Sequence, residues 1–319
     1  MKIAVLGLGS AGSRHARNLL ELGHEVVGFD PGAADPADPV ARADSAEEAV
    51  RSAEAVVVAS PSSVHAEHAL LALRQGRHVL VEKPVATSAE DAAAIVEAAD
   101  EAGVVCAVAM NLRFHPALEA LKRLLDEGRL GTPYLAEAAF GYDLRLWRPG
   151  TDYRESYSAK ADLGGGILLD AVHELDYLLW LLGPVATVAA ETGRVSELQI
   201  DVEDVAIALL RFESGALATV SVNFVEPAYR RGCVLVGSDA VARWSWGGEA
   251  IELEGLEGPV QLVDAAGEVA DTYVAVARDF VESVETGSAP RTPCAQAVEA
   301  IRLAEAVKRS SAEGKRVAL

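Results

Sequence analysis

Three groups of residues in this chain have types and spacings that could carry chemistry. The first is Gly7-Leu8-Gly9-Ser10-Ala11-Gly12, preceded by an apolar strand over residues 3–6 and followed by a helix-like run to Leu20 and a second strand closing on Asp30. This order suits a dinucleotide because each part meets a different group of the ligand. Gly7 permits the tight turn, Gly9 lets a pyrophosphate approach the backbone, and Gly12 lets helix and strand pack closely. The free N–H groups of Ser10, Ala11 and their neighbours at the helix N-terminus then face the phosphates. Asp30 sits where a carboxylate accepts hydrogen bonds from both adenine ribose hydroxyls and repels a 2′-phosphate. No arginine follows it over residues 31–40, so NAD is favoured over NADP. A glycine triplet alone also fits a phosphate-free turn in some other α/β protein; the flanking strand, helix and acid favour the dinucleotide.

The second group lies over residues 164–180, where Gly164, Gly165 and Gly166 precede Asp170, His173, Glu174, Asp176, Tyr177 and Trp180. On one continuous helix, at about 100° per residue, Asp170, His173, Asp176, Tyr177 and Trp180 fall within an arc of about 120°. A histidine with carboxylates three residues to either side suits a general base poised near neutral pH. The alternative is a satisfied, half-buried histidine with both aromatics in the core. The third group is a set of polar residues at strand ends: Ser60, Glu82-Lys83 and Asn111-Leu112-Arg113. Each alone is an ordinary turn former, but together they mark one edge of a sheet.

The elements that must hold these groups alternate. Strands over residues 55–59, 78–81 and 104–110 are separated by helices over 45–52, 64–75 and 88–102, which predicts a parallel, doubly wound sheet with ligands at the carboxyl ends of its strands. A loop rich in Pro, Ala and Asp spans residues 31–39. Beyond a helix over 116–126 the pattern changes. A strand over 134–146, an irregular segment over 147–161 and a helix over 166–182 precede strands over 185–191, 205–212, 216–224, 232–236 and 241–246, with a hairpin turn at Glu213-Ser214-Gly215. Helices over 273–285 and 294–310 close the chain. The expected architecture is an α/β N-terminal Rossmann domain, residues 1–123, and a C-terminal α+β domain with a largely antiparallel sheet, residues 124–319.

Bulk properties narrow the partners. The chain has 319 residues, 50% hydrophobic and 24% charged, enough for two cores. With 28 basic and 48 acidic residues its formal charge is −20, which disfavours nucleic acid and anionic membranes as partners. Cys106, Cys233 and Cys294 have no paired spacing, so neither a metal site nor a disulfide framework is indicated and all three are expected in the core. The most apolar stretch, residues 167–182, contains four ionisable residues and does not read as a membrane span. The opening strand does not read as a secretion signal, and a cytoplasmic location is expected.

With these residues in hand, the sequence resembles the Gfo/Idh/MocA oxidoreductases over nearly its whole length. The matching motifs are the Gly7 to Gly12 turn with His15-Ala16-Arg17-Asn18-Leu19, Ser60-Pro61 with His65, Glu82-Lys83-Pro84, Asn111-Leu112-Arg113-Phe114-His115-Pro116, Gly128-Arg129-Leu130-Gly131, and the segment from Gly164 to Asp176. The resemblance implies NAD-dependent transfer of a hydride between nicotinamide and a carbinol carbon of a sugar, polyol, sugar acid or nucleotide sugar. It implies Lys83 and His173 as the catalytic residues flanking nicotinamide and substrate, and a cis bond before Pro84. Gly7, Gly9, Ser10, Ala11, Gly12, Asp30, Ser60, Pro61, His65, Glu82, Lys83 and Asn111 are the cofactor-binding candidates. Many members place an acid four residues before the histidine; here that position is Leu169, and the acid is Asp170, three before, which leaves its relay role open.

For substrate contacts the candidates are Arg113, Trp147, Arg154, Tyr157, Asp170 and His173. The crowding of Arg145, Arg148 and Arg154 among aromatics points to a charged sugar, unless these arginines only solubilise a loop. Two other functions remain open: an NAD-using glycosidase with transient redox steps, and a non-enzymatic dinucleotide-binding regulator. The resemblance also implies a homodimer or homotetramer paired through the open face of the second-domain sheet.

Overall fold

The structure, a computed structural model, describes residues 1–32 and 40–319, so the expected loop over residues 31–39 lies almost wholly outside the described residues. These form two compact units, Met1–Asn111 with Val269–Ile301, and Leu112–Glu268 with Arg302–Leu319.

The first unit opens with β1 (Lys2–Leu6), α1 (Ser10–Glu21), β2 (Glu25–Phe29), β3 (Ala41–Arg42), α2 (Ala46–Arg51), β4 (Ala55–Val58), α3 (His65–Leu73), β5 (His78–Val81), α4 (Ala89–Ala102) and β6 (Cys106–Val108). Its strands form one parallel sheet in the order β3-β2-β1-β4-β5-β6. The unbroken apolar runs explain this, since strands covered on both faces need no alternation, and Ile3 to Leu6 and Ala55 to Val58 are fully buried. Ser45 and Ser88 cap α2 and α4 by accepting from the N–H groups of Glu48 and Asp91, and Gly103 ends α4 in the left-handed conformation at φ +64°. Because β2 and β4 flank β1 on opposite sides, the winding reverses beside the carboxyl ends of β1 and β4, where Gly7 and Ser60 lie.

The second unit contains α5 (Pro116–Asp126), β7 (Pro133–Gly141), α6 (Ile167–Asp170), α7 (Val172–Leu182), β8 (Val185–Gly193), β9 (Val205–Phe212), β10 (Leu217–Asn223), β11 (Arg230–Gly237), β12 (Ala240–Ser245), β13 (Ala250–Gly255) and β14 (Gln261–Asp264). The chain continues through α8 (Val269–Thr286), α9 (Cys294–Glu313) and β15 (Val317–Ala318). Nine strands pair in the order β14-β13-β12-β11-β7-β10-β9-β8-β15, all antiparallel except β7 with β10. Along β9, Ala206, Ala208, Leu210 and Phe212 are buried while Ile207, Leu209 and Arg211 are exposed, the alternation of a sheet covered on one face.

Four features depart from the sequence expectation. The helix over 166–182 breaks at Ala171 (φ −97°, ψ 28°) into α6 and α7. The strand expected to reach residue 146 stops at Gly141, where a short 3-10 turn, Leu144–Leu146, takes over with Asp143 accepting from the N–H of Arg145. β13 and β14 were not expected, because their acidic, short sequences lack the apolar signal of a core strand. Finally, 269–301 joins the first unit rather than staying with the second: Thr272 in α8 accepts from Asn111 Nδ2 at 2.9 Å, and Thr292 donates to the carbonyl of Val108 at 2.7 Å.

Candidate active site

In the first unit the site grows from the turn after β1. Gly7 sits at φ +92°, and a Cβ there would lie 2.5 Å from the Ala59 carbonyl oxygen; a Cβ on Gly12 would lie 1.8 Å from the Gly7 carbonyl oxygen. Both positions exclude any side chain. Gly9 differs, because a Cβ there would meet nothing within 4 Å among the described residues. Gly9 caps α1 with no side-chain hydrogen bond, and the first turn, with Ser10 and Ala11, carries no acid. An open space before an uncapped helix N-terminus is the cradle a pyrophosphate requires. Asp30 completes it: one carboxylate oxygen accepts from the N–H of Leu8 at 2.7 Å and the other from Gly32 at 2.8 Å, leaving lone pairs for ribose hydroxyls. The residues present fit NAD.

The strand-end residues are tied together behind this turn. Glu82, buried after β5, accepts from His15 Nε2 at 2.8 Å and from the N–H of Lys83 at 3.0 Å. Burial pushes its pKa up, but the His15 hydrogen bond and the charges of His15 and Lys83 outweigh this and hold it at about 2. His65, 1% exposed, lies between the carbonyls of Pro84 (2.7 Å) and Ser60 (2.8 Å). Burial lowers its pKa, while both carbonyls and the Glu82 charge oppose the change. The Glu82 and His65 side chains therefore brace the turns bearing Ser60-Pro61 and Lys83-Pro84 from within. The Ser60 hydroxyl meets His68 Nδ1 at 3.0 Å, and the Asn111 amide is taken by Thr272. Lys83 itself is half-buried and joined to Pro84 by a cis peptide bond. The role of His15 was not legible beforehand, because nothing in its spacing announces a partner 67 residues away.

In the second unit, two glycines admit backbone and acid to the start of α6. A Cβ on Gly165 would lie 2.3 Å from the Tyr157 carbonyl oxygen, and one on Gly166 would lie 2.6 Å from the Glu203 carboxylate. His173, 6% exposed, stands on the first turn of α7, and Asp170, across the break at Ala171, accepts from the Tyr157 hydroxyl at 2.9 Å. Burial and the Asp170 charge both push the Tyr157 phenol far above its usual pKa, so it stays protonated as that donor.

The break at Ala171 leaves Asp170 on α6, while His173, Asp176, Tyr177 and Trp180 remain on α7. Asp176 faces Arg113, which grips it through Nε at 2.8 Å and Nη2 at 2.6 Å, and Tyr177 is fully buried with its hydroxyl 3.4 Å from the Gly232 carbonyl. Arg113 also lies 5.7 Å from the Trp180 ring. Burial raises the Asp176 pKa against the pull of Arg113. Arg113 is thus paired with a buried acid of the same unit. Arg154 is exposed and bonded to Asp152 and Gln199. Trp147 donates to the Tyr142 carbonyl at 3.0 Å and packs edge-on against Phe140 and Phe224. Sequence reasoning missed Glu174 and Arg231, buried partners at 2.8 Å and 57 residues apart.

Two family patterns match the chain: "Oxidoreductase family, NAD-binding Rossmann fold" over residues 1–110, and "GFO/IDH/MocA C-terminal domain" over residues 118–243. The scyllo-inositol 2-dehydrogenase (NAD(+)) of Bacillus subtilis (strain 168) is 30% identical over 244 residues, 71% of this chain and 68% of the relative. The chain belongs to the Gfo/Idh/MocA oxidoreductases. Inositol 2-dehydrogenase 3 of Saccharopolyspora erythraea is 33% identical over 258 residues, 76% of this chain and 72% of the relative. Among solved structures, GenD2 from gentamicin A biosynthesis in complex with NAD is similar with a TM-score of 0.85 at 28% identity, covering 100% of this chain and 96% of that one. NAD is the cofactor of this family's first domain, in agreement with the cradle at Gly9 and Asp30.

Proposed function

We propose that the chain transfers a hydride between a carbinol carbon of a sugar or polyol and NAD, with NAD preferred over NADP, and that Lys83 and His173 carry the proton chemistry. NAD, when bound, supplies the hydride acceptor. His173 takes the proton from the substrate hydroxyl, and the Lys83 ammonium stabilises the oxygen as negative charge develops on it. Asp170 holds the Tyr157 hydroxyl beside α7, a positioning role that needs no proton transfer of its own. The observation that carries the reading is the open cradle before α1, closed by Asp30; the names of the inositol dehydrogenase relatives support the substrate class.

The test is NADH absorbance with a panel of sugars and polyols, together with glycoside release. Net NADH that falls by about a thousandfold or more in Lys83→Ala and His173→Ala is the expected result. Glycoside cleavage without NADH, or variants as active as the parent, would contradict it.

The same sheet supports a homodimer or homotetramer. Leu135, Ile207, Leu209 and Leu217 share the uncovered face of the nine-stranded sheet, between 39% and 56% exposed. A monomeric mass by light scattering would contradict this. Among the described residues no helix is long and apolar enough to cross a membrane, and the three free thiols support a cytoplasmic location.

A further inference from the structure

Spacing along the chain pairs none of the three cysteines, yet the first unit brings two of them together. The segment before α9 runs antiparallel to the edge strand β6. The N–H of Val108 donates to the Thr292 carbonyl at 2.9 Å, the Thr292 hydroxyl donates to the Val108 carbonyl at 2.7 Å, and Ala107 stands opposite Pro293. One step further along this register, Cys106 at the start of β6 faces Cys294 at the start of α9. Residues opposed in an antiparallel pair have Cα atoms about 4.5–5.5 Å apart, inside the window of about 4.4–6.8 Å that a disulfide spans. The Cys294 thiol already donates a hydrogen bond to Cys106.

The two thiols are not equivalent. Cys106 is half-buried, while Cys294 is buried. Burial, and after it the hydrogen bond to Cys106, hold the Cys294 thiol well above its usual pKa, which makes it a poor first nucleophile. Cys233, buried on β11 in the second unit, is likewise pushed up by burial. An oxidant therefore meets Cys106 first, and Cys294 is in place to resolve the product.

Position in the sheet sets the consequence. Cys106 pairs with Val79, Val79 with Val56 and Val56 with Ala4, so Cys106 lies level with a residue three places before Gly7 and three strands to the side of β1. At about 3.3 Å per residue and about 4.8 Å between strands, this places it about 15 Å or more from the turn that forms the cradle. A bond there fastens the edge of the parallel sheet without reaching the cofactor edge.

We infer that Cys106 and Cys294 form a reversible disulfide, a redox-modification site that staples β6 to the start of α9 and leaves NAD binding unchanged. The oxidant is a low-molecular-weight disulfide. The Cys106 sulfur, having lost its proton, attacks one sulfur of that disulfide; a mixed disulfide forms on Cys106, and the departing thiolate takes up a proton. The Cys294 sulfur then loses its proton and attacks Cys106 Sγ, and the second thiolate leaves and is protonated in turn. Two protein thiols are oxidised by two electrons, and one small disulfide is reduced to two thiols. In a reducing compartment the pair stays open, and it closes as the ratio of disulfide to thiol rises.

The experiment incubates the reduced, folded protein with oxidised glutathione, denatures it in iodoacetamide and maps its peptides by mass spectrometry. The expected product joins the Cys106 peptide to the Cys294 peptide with the loss of two hydrogens and leaves Cys233 alkylated. It melts at least about 3 °C higher than the reduced form and reverts with dithiothreitol. The Kd for NAD, by calorimetry, should differ by less than about twofold between the two forms. Cys294→Ala should stop at a glutathione adduct on Cys106 and show no rise in melting temperature. Cys106 and Cys294 both recovered alkylated, a link to Cys233 instead, or Cys294→Ala free of adduct overturns the inference. So does a melting temperature unmoved or lowered by oxidation, or an NAD Kd shifted beyond that limit. The thiol and melting readouts need no NAD, so they stand whatever becomes of the hydride-transfer reading.

Discussion

The first unit shapes its ligand site from backbone, and the second shapes its own from charged side chains matched across long stretches of sequence. At the turn after β1, Gly7, Gly9 and Gly12 act through what they lack, and Asp30 reaches back to the N–H of Leu8. Around His173 the determining contacts are Arg113 with Asp176, 63 residues apart, and Arg231 with Glu174, 57 apart. A cradle made of N–H groups tolerates any ligand with the right phosphate spacing. A buried pair of opposite charges instead fixes where two distant segments of the chain meet.

The largest effect that tests this contrast is expected in the backbone half, at Gly12, whose Cβ would collide with main chain. Gly12→Val should abolish NAD binding by calorimetry and lower stability in urea by more than about 3 kcal/mol, because the obstructing atom is a carbonyl that cannot swing aside. In the side-chain half, Glu174→Ala leaves the Arg231 guanidinium buried without its carboxylate and should cost about 3–5 kcal/mol, whereas Glu174→Leu with Arg231→Met should recover most of it. If the double replacement is as damaging as the single one, the pair does more than neutralise itself.

Smaller effects sharpen the comparison. The Glu82 pKa of about 2 lies below its ordinary 4.5, so its stabilising contribution is complete above pH 4.5 and is lost as pH falls toward 2. Chemical denaturation across that window should show a loss of about 3 kcal/mol at most that is absent in Glu82→Gln. A profile identical in the variant would mean that His15 does not hold Glu82 as described. Gly9→Ala, which meets open space, should change stability by less than about 0.5 kcal/mol yet weaken NAD by about tenfold or more. Equal losses at Gly9 and Gly12 would show that the open space is not where the cofactor lies.

The same difference governs what could be read from sequence. The glycine turn, the strand ending on Asp30 and the serine caps of α2 and α4 are local, so spacing alone reveals them. The alternation along β9 announced a sheet with one covered face for the same reason. The break at Ala171 left no such mark, because Leu168, Leu169 and Ala171 are good helix formers and neither Gly nor Pro stands at the break. Arginines at 113, 145 and 154 looked available because an arginine carries no sign of its partner. Aspartates two residues earlier, Asp143 and Asp152, were the one local hint for the last two. His65 and Glu82 stood in the right motifs, but only the fold shows that they brace the turns from behind.

The most direct measurement of the central claim is to compare His173→Ala with the parent in two assays on the same preparation, NAD binding by calorimetry and NADH formation from a neutral polyol. The account predicts an NAD Kd within about twofold of the parent and turnover reduced by about a thousandfold or more. Turnover that survives the substitution, or NAD binding that is lost with it, would contradict the division between a backbone half that holds the cofactor and a side-chain half that works on the substrate.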